Sequence, residues 1–279
     1  DHLLAGGGSG VATLGLPGSA GVPEGAVANT LVLPYNVVPE LDDTVACVLV
    51  EAVACNMNLV RPAAGFLEGL RAECDRVGAK LIFDEVITGF RLGAGGAEAH
   101  LGVTPDLWTF GKVIGGGLPV GAFGGKAADM AFLAPQGPVY QAGTLSGNPL
   151  ATAAGLTVLQ EVGDADYAAL TEKAQAFGKA MCSAIRDAGL WACVPGEGPL
   201  LGLYLSDGEA SAPVDYEGAK ALCGNGIYAD FFHAMLRRGV FLAPGAYEVM
   251  FVSMAHTTSQ LDRVVEAANA SAAEVVASR

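Results

Sequence analysis

Apolar positions along the chain fall into short runs that alternate with stretches of helical period. VACVLVEAV (45 to 53) is a β-branched run of the kind a buried parallel strand carries, and KLIFDEV (80 to 86) is a second. Between them AGFLEGLRAECDRVG (64 to 78) has a helical period that ends at Gly78. A third apolar segment, DLWTFGKV (106 to 113), runs into glycines, and PVGAFGGK (119 to 126) reads as a further short strand. Strand, helix, strand in this rhythm predicts an α/β fold with a parallel sheet, and such sheets bind ligands beyond the carboxyl ends of their strands.

Helical period follows, and the pattern changes after Gly189. GNPLATAAGLTVLQEV (147 to 162) predicts an Ala-rich helix and YAALTEKAQAFGKAMCSAIRDAG (167 to 189) a longer amphipathic one. GPLLGLYLS (198 to 206) and GVFLAPG (239 to 245) read as strands, a helix is expected within 219 to 239, and a closing helix over 258 to 278 with Thr258 or Ser259 as its cap. The expected organisation is part of a large α/β domain over 1–160 and a smaller C-terminal α+β domain over 161–279. Residues 6 to 25, rich in Gly, Ser and Pro, read as a long loop of the lid or linker kind.

Composition narrows the function. A net charge of −14 with only 15 Lys and Arg argues against a nucleic-acid partner, because phosphates need clustered cations. The 52 % hydrophobic fraction is spread among Gly, Pro and charges, and no run approaches the roughly 20 apolar residues of a membrane span. A soluble protein with no membrane partner is expected. Six cysteines show neither a CxxC pair nor zinc-type spacing with the four histidines, so no metal is expected and buried thiols of a reducing compartment are. The first residues lack a basic, apolar leader.

Two residues carry the chemistry. Asp84 ends an apolar strand, where a carboxylate is costly unless a cation holds it, and a protonated pyridine nitrogen is one such cation. The plainer alternative is that Asp84 or Glu85 caps a loop or pairs with Arg91. Lys112 lies between the strand LWTFG and the glycine-rich VIGGGLPVG, where a planar ligand can come close to the backbone; alone it reads more readily as a solvated lysine before a flexible turn. Together, 28 residues apart on what read as adjacent strand ends, they form the pair that pyridoxal phosphate chemistry requires, a Schiff-base lysine and an acid for the pyridinium. AGTLSGNP (142 to 149) precedes a helix, so Thr144, Ser146 and nearby N–H groups are candidates to hold a phosphate, or Ser146 or Asn148 is simply the N-cap.

These segments, with FDEVITGFR (83 to 91), GVTPDLWTFGKVIGGGLPVGAFGG (102 to 125) and YQAGTLSGNPLATAAG (140 to 155), resemble class III, fold-type I aminotransferases. Within that class the likeness is greatest to the glutamate-1-semialdehyde 2,1-aminomutases, whose gating loop is similar to SGVATLGLPGSAGVP (9 to 23) and whose C-terminal signature is similar to YEVMFVSMAHT (247 to 257). The resemblance implies a fold-type I large domain and a small C-terminal domain, pyridoxal or pyridoxamine 5'-phosphate as cofactor, and amino transfer within glutamate 1-semialdehyde to give 5-aminolevulinate for tetrapyrrole synthesis. It implies Lys112 as covalent anchor and proton shuttle, Asp84 at the pyridine nitrogen, Val86 on the ring face, and Glu51 and Asn56 near the ring and its phenolic oxygen. Thr144 is implied to reach the phosphate of the neighbouring subunit's cofactor, so a homodimer with shared sites is expected. Ser9 falls in the substrate gate, and Glu248 is placed to attract the substrate's amino group and repel a second carboxylate.

A cytoplasmic setting follows, or the plastid stroma for a photosynthetic eukaryote. The chain is expected to lack roughly the first third of a family member, with its main phosphate loop, and EAVACN and LAPGAYE depart from the usual EPVVGN-like and APSxFE runs. Three readings stay open on the residues alone: an aminomutase, another class III ω-aminotransferase with a separate amino acceptor, and a shortened relative that folds and dimerises without turnover.

Overall fold

A computed structural model describes residues 20–279, so most of the expected lid loop, Ser9 included, lies outside the described residues. The described chain forms two compact units. One comprises Val38–Val53 and Ala64–Ala168; the other takes the described residues up to Val37 together with Ala54–Ala63 and Ala169–Arg279.

The first unit is built on four strands in the order β1 (Cys47–Val50), β2 (Lys80–Asp84), β3 (Leu107–Phe110) and β4 (Ala122–Gly125). β1 and β2 pair in parallel with Val50 opposite Phe83, and β2 and β3 pair in parallel with Asp84 opposite Thr109. Leu81 and Phe83 are wholly buried, and the helix Phe66–Val77 contributes Phe66, Leu67, Leu70 and Cys74 to the same core, ending at Gly78 in the left-handed region that Gly adopts freely. β1 departs from the expected buried strand: Cys47 is exposed and Leu49 is 41 % exposed, because the described residues leave that face uncovered.

The strand expected over 119 to 126 exists but runs antiparallel to β3, with Leu107 opposite Gly125. A parallel crossover needs about a dozen residues or more. Here the link is a single 3₁₀ turn, Lys112–Gly115, and a glycine stretch, which can only reverse the chain.

At the amino end of β3, Asp106 is buried and ties three elements. One carboxylate oxygen accepts from the Leu81 N–H at 2.9 Å and from Arg71 Nη1 at 2.8 Å, the other from Lys126 Nζ at 2.8 Å. Burial alone raises its pKa, but the Lys126 ammonium, the Leu81 N–H and the Arg71 guanidinium outweigh that and hold it far below the ordinary value of 3.8. A depressed folded-state pKa gives stability that is complete above 3.8 and is lost as pH falls from there toward the folded value. Asp106→Asn is therefore expected to lower the melting temperature at neutral pH and to flatten its fall in acid below about pH 4. A parent-like acid slope in the variant would show that other carboxylates carry the acid sensitivity.

In the second unit the helix Asp164–Asp187 buries Leu170, Ala174, Phe177, Met181 and Ile185 at spacings of three and four, the amphipathic pattern the sequence predicted. They pack with Ile227, Phe231 and Met235 of Ile227–Arg237 and with Ala268, Ala272 and Val275 of Thr258–Ala277, each large side chain stabilising by roughly 1.5–3 kcal/mol.

Four expectations change or are refined here. The run 198 to 206 is two strands in different sheets, β7 (Leu200–Leu201) beside β6 (Gly196–Glu197) and β9 (Met250–Phe251), and β8 (Tyr204–Ser206) beside β5 (Trp191–Cys193). Gly202 divides them, its N–H turned away to the Pro195 carbonyl at 2.8 Å. Residues 239 to 245 are not a strand, because Val240 N–H closes the preceding helix on Met235 O and Tyr228 Oη donates to Ala243 O at 2.6 Å. The helical stretch is two helices, Tyr216–Cys223 and Ile227–Arg237, and the last helix is capped by Thr257 in a capping box with Gln260 rather than by Thr258 or Ser259. All six cysteines are free; Cys55 and Cys74 are buried, three are half-buried, and Cys47 is exposed, so the expectation of buried thiols holds only in part. No helix among the described residues is long and apolar enough to cross a membrane.

Candidate active site

Three neighbouring parallel strands end on one edge of the first unit's sheet. Glu51 follows the last residue of β1, Asp84 is the last residue of β2, and Lys112 stands two residues beyond β3. Lys112 is three residues past Thr109, the register partner of Asp84, a chain length of at most about 11 Å on strands about 4.8 Å apart. The two residues therefore share one carboxyl edge of the sheet.

Asp84 is half-buried, and only one of its oxygens is engaged. Oδ1 accepts from the Val86 N–H at 3.0 Å and from Thr109 Oγ1 at 3.5 Å, while Oδ2 has no partner among the described residues. The neighbouring acid has the structural task. Glu85 is 1 % exposed and accepts from Thr88 Oγ1 at 2.8 Å and from the Ala97 N–H at 2.9 Å, at the start of the short helix Gly96–Leu101. The sequence left Asp84 and Glu85 as alternatives for loop capping; the structure gives that role to Glu85. Arg91 is half-buried, and burial lowers its pKa.

Lys112 is exposed, and its Nζ has no hydrogen bond or ion pair among the described residues. Its backbone is held at φ 46, a left-handed conformation that a non-glycine residue adopts at a cost of about 1–2 kcal/mol. Phe90, in the turn after β2, is likewise at φ 55. Such conformations persist only where the surroundings impose them.

Here the imposing contact is with the helix Pro149–Glu161. A Cβ on Gly155 would lie 1.9 Å from Ile114 O, and one on Gly116 would lie 2.6 Å from Ala154 O, so the lysine turn and the helix meet backbone to backbone. Gly111, just before Lys112, is buried, and a Cβ there would lie 3.2 Å from Val86 Cγ1. Val86 and the lysine turn thus flank one bare stretch of backbone.

Thr144 belongs to the same unit and is exposed in the turn before that helix. The cap is Asn148, whose Oδ1 accepts from the N–H groups of Leu150 and Ala151 at 3.0 and 3.2 Å. Ser146 instead closes its own turn through N–H to Gly143 O. Asn56 and Glu248 belong to the second unit. Asn56 is half-buried in the turn between the paired Ala54 and Val60; Glu248 is exposed, its N–H on Gly245 O at 3.2 Å.

Sequence reasoning missed Asn58. It is wholly buried at φ 72, with Nδ2 donating to Leu203 O at 2.7 Å and to Ala246 O at 3.0 Å. The only local signal was an Asn, which tolerates the left-handed region, two positions past Asn56.

Comparison with known proteins gives the frame for this arrangement. The family described as aminotransferase class-III matches residues 28–269, most of the chain. The chain belongs to that family. A glutamate-1-semialdehyde 2,1-aminomutase of Nitratidesulfovibrio vulgaris is 47 % identical over 275 residues, which is 96 % of this chain and 64 % of the relative, so the chain spans under two thirds of that relative's length. Among solved structures, an omega-transaminase from Sphaerobacter thermophilus superposes with a TM-score of 0.82 at 28 % identity, covering 92 % of this chain and 60 % of that one. A lysine-to-alanine variant of a glutamate-1-semialdehyde-aminomutase from Pseudomonas aeruginosa PAO1, in complex with PMP, superposes with a TM-score of 0.80 at 24 % identity over 92 % of this chain and 60 % of that one, a likeness of fold. The class III chain is therefore an α/β, fold-type I member with a mostly parallel sheet flanked by helices.

Proposed function

We propose that this class III chain is the lysine-bearing portion of a glutamate-1-semialdehyde 2,1-aminomutase, a pyridoxal 5'-phosphate enzyme that passes through the pyridoxamine 5'-phosphate form. The observation that carries the reading is the edge at which Asp84 Oδ2 and Lys112 Nζ, neither engaged among the described residues, leave adjacent parallel strand ends. The residues fit a flat pyridine: a carboxylate at one end, an amine at the other, and between them a backbone kept bare at Gly111, where a side chain would crowd Val86. When bound, the cofactor supplies an aldehyde carbon that exchanges with amines and a cationic ring that withdraws electrons.

The chain's own residues then have separate tasks. Asp84 would hold the ring nitrogen protonated by opposing its charge. Val86 would meet the ring face, and Glu51 and Asn56 are the proposed partners of the ring and its phenolic oxygen. Lys112 would hold the cofactor covalently, and its amine would hold and move protons at the substrate carbons as base and acid. Thr144 serves the phosphate of a second subunit's cofactor. Its exposure and that of Tyr140, Leu145 and Leu150 beside it support a homodimer. Glu248 attracts the substrate's ammonium, and Ser9 belongs to the gate.

Mutase rather than transaminase chemistry is supported by the 47 % identity to a named aminomutase and by the carboxylate at Glu248, which disfavours a second acidic substrate. In the mutase reaction the aldehyde carbon gains the amine and is reduced while the amine-bearing carbon becomes a ketone, so no outside acceptor is consumed. The native full-length protein is expected to form 5-aminolevulinate from glutamate 1-semialdehyde, one for one, with no added amino acid or keto acid. A strict requirement for an acceptor would assign it to the transaminases instead.

A further inference from the structure

Glu248 is exposed, yet the backbone that presents it is anchored from several sides within the second unit. Asn58 makes two of those anchors. Its N–H donates to Tyr247 O at 2.7 Å and its Nδ2 to Ala246 O at 3.0 Å, the two carbonyls immediately before Glu248. The same side chain is locked to the strand region behind it, donating to Leu203 O at 2.7 Å and accepting from the Leu203 N–H at 2.8 Å. Both amide hydrogens and the carbonyl oxygen of the side chain are thus spent on backbone, which marks it as a structural clamp rather than a ligand contact.

Neighbouring groups support the clamp. Cys223 Sγ donates to the same Ala246 carbonyl at 3.2 Å, and the Tyr247 ring stacks on Tyr216 with centroids 6.4 Å apart. A Cβ on Gly202 would lie 2.6 Å from Asn58 Oδ1, so a glycine there makes room for the amide. Asn58 itself stands at φ 72, a conformation whose imposition is justified where the side chain does something a relaxed residue cannot.

We propose that Asn58 is a positioning residue for the proposed reaction: by holding the Ala246 and Tyr247 carbonyls it fixes the turn from which Glu248 meets the substrate's amine. The inference rests on the reading of Glu248 given above. It extends that reading to substrate specificity, because a carboxylate on a wandering turn would neither attract an ammonium at one point nor repel a second carboxylate from it.

The test is a double-mutant cycle in the native holoenzyme with Asn58→Gly and Glu248→Gln, read together with backbone amide exchange. Glycine accepts the left-handed backbone without strain, removes the buried side-chain amide with its bonds to Ala246 and Leu203, and keeps the backbone N–H on Tyr247 O. Asn58→Gly is expected to lower kcat/KM about 10- to 100-fold, mainly through KM, and in the Glu248→Gln background to cost less than about 3-fold further. Amide exchange is expected to speed up in residues 246–250 while the helix Thr258–Ala277 keeps its protection. If the two substitutions instead multiply, Asn58 does not act through Glu248 and the proposal fails while the Glu248 reading stands. If Glu248→Gln alone changes nothing, both fail. Unchanged exchange at residues 246–250 would overturn the clamp whatever the kinetics. Should the glycine variant not fold, Asn58→Asp, which keeps the shape and the bond from Leu203 N–H but loses both donations, takes its place in the cycle, with the same results supporting or overturning the proposal.

Discussion

Replacing Lys112 with alanine is expected to abolish covalent capture of pyridoxal phosphate and to lower turnover by about 10³-fold or more, the scale of losing an anchor and a proton carrier in one residue. Borohydride reduction followed by intact-mass measurement should add one cofactor mass to the parent and none to the variant. A reduced cofactor adduct still present in Lys112→Ala would move the anchor to another lysine. The backbone makes a second, opposite expectation. Lys112 stands at φ 46, so Lys112→Gly relieves a left-handed strain of about 1–2 kcal/mol while giving back about 0.5–1 kcal/mol in chain entropy. Compared without cofactor, Lys112→Gly should melt higher than Lys112→Ala, an inactive protein more stable than its parent. A glycine variant that melts lower would show that the lysine side chain supports the fold and that its geometry is not stored strain.

Gly155→Ala is expected to be the most damaging small substitution in the first unit. Its new methyl would sit 1.9 Å from Ile114 O, a backbone atom of the lysine turn, so either the helix Pro149–Glu161 or the turn must shift by about an ångström or more to restore an ordinary contact. Overpacking against a side chain costs about 1–3 kcal/mol, and a backbone carbonyl has less freedom to yield, so the cost is expected at the top of that range or above, about 5–10 °C in melting temperature. Turnover should fall further than stability, because the part that moves carries Lys112 and catalytic groups tolerate little displacement. Gly178→Ala is the matched control. It too lies in a helix, but its added methyl meets the Leu201 Cδ2 tip at 3.0 Å, which can rotate away. Thermal melts and cofactor-titration spectra of the two variants test this directly; equal behaviour would show that the lysine turn is pliant and its docking on the helix unimportant.

These two positions differ in how they could be found. Lys112 was legible in the chain only together with Asp84, because a lysine before glycines at a strand end reads by itself as a solvated turn residue. Gly155 was not, since within the helical run LATAAGL it reads as one more small residue, and only the approach of Ile114 O from elsewhere gives it meaning. Asp84 and Glu85 show the same divide within one dipeptide. Both were legible as acids at a strand end, but alternation along β2 placed one toward the helix Gly96–Leu101 and left the other with a free oxygen, and that helix had no signal in the sequence.

The order of the four strands and of the helix Phe66–Val77 in the first unit, and the amphipathic helices of the second, were determined by the sequence itself, because hydrophobic period is a local property and these segments are long enough to show it. So was the placement of Asp84 and Lys112 at or just beyond the ends of two apolar strands, which the register shows to be neighbours. The antiparallel turn of β4, the splitting of 198 to 206 between two sheets and the grouping of 54 to 63 with residues beyond 169 were decided only by tertiary structure. For the last two the deciding bonds join residues far apart in the chain, as Asn58 does to Leu203 and Ala246, and no window of sequence contains both partners.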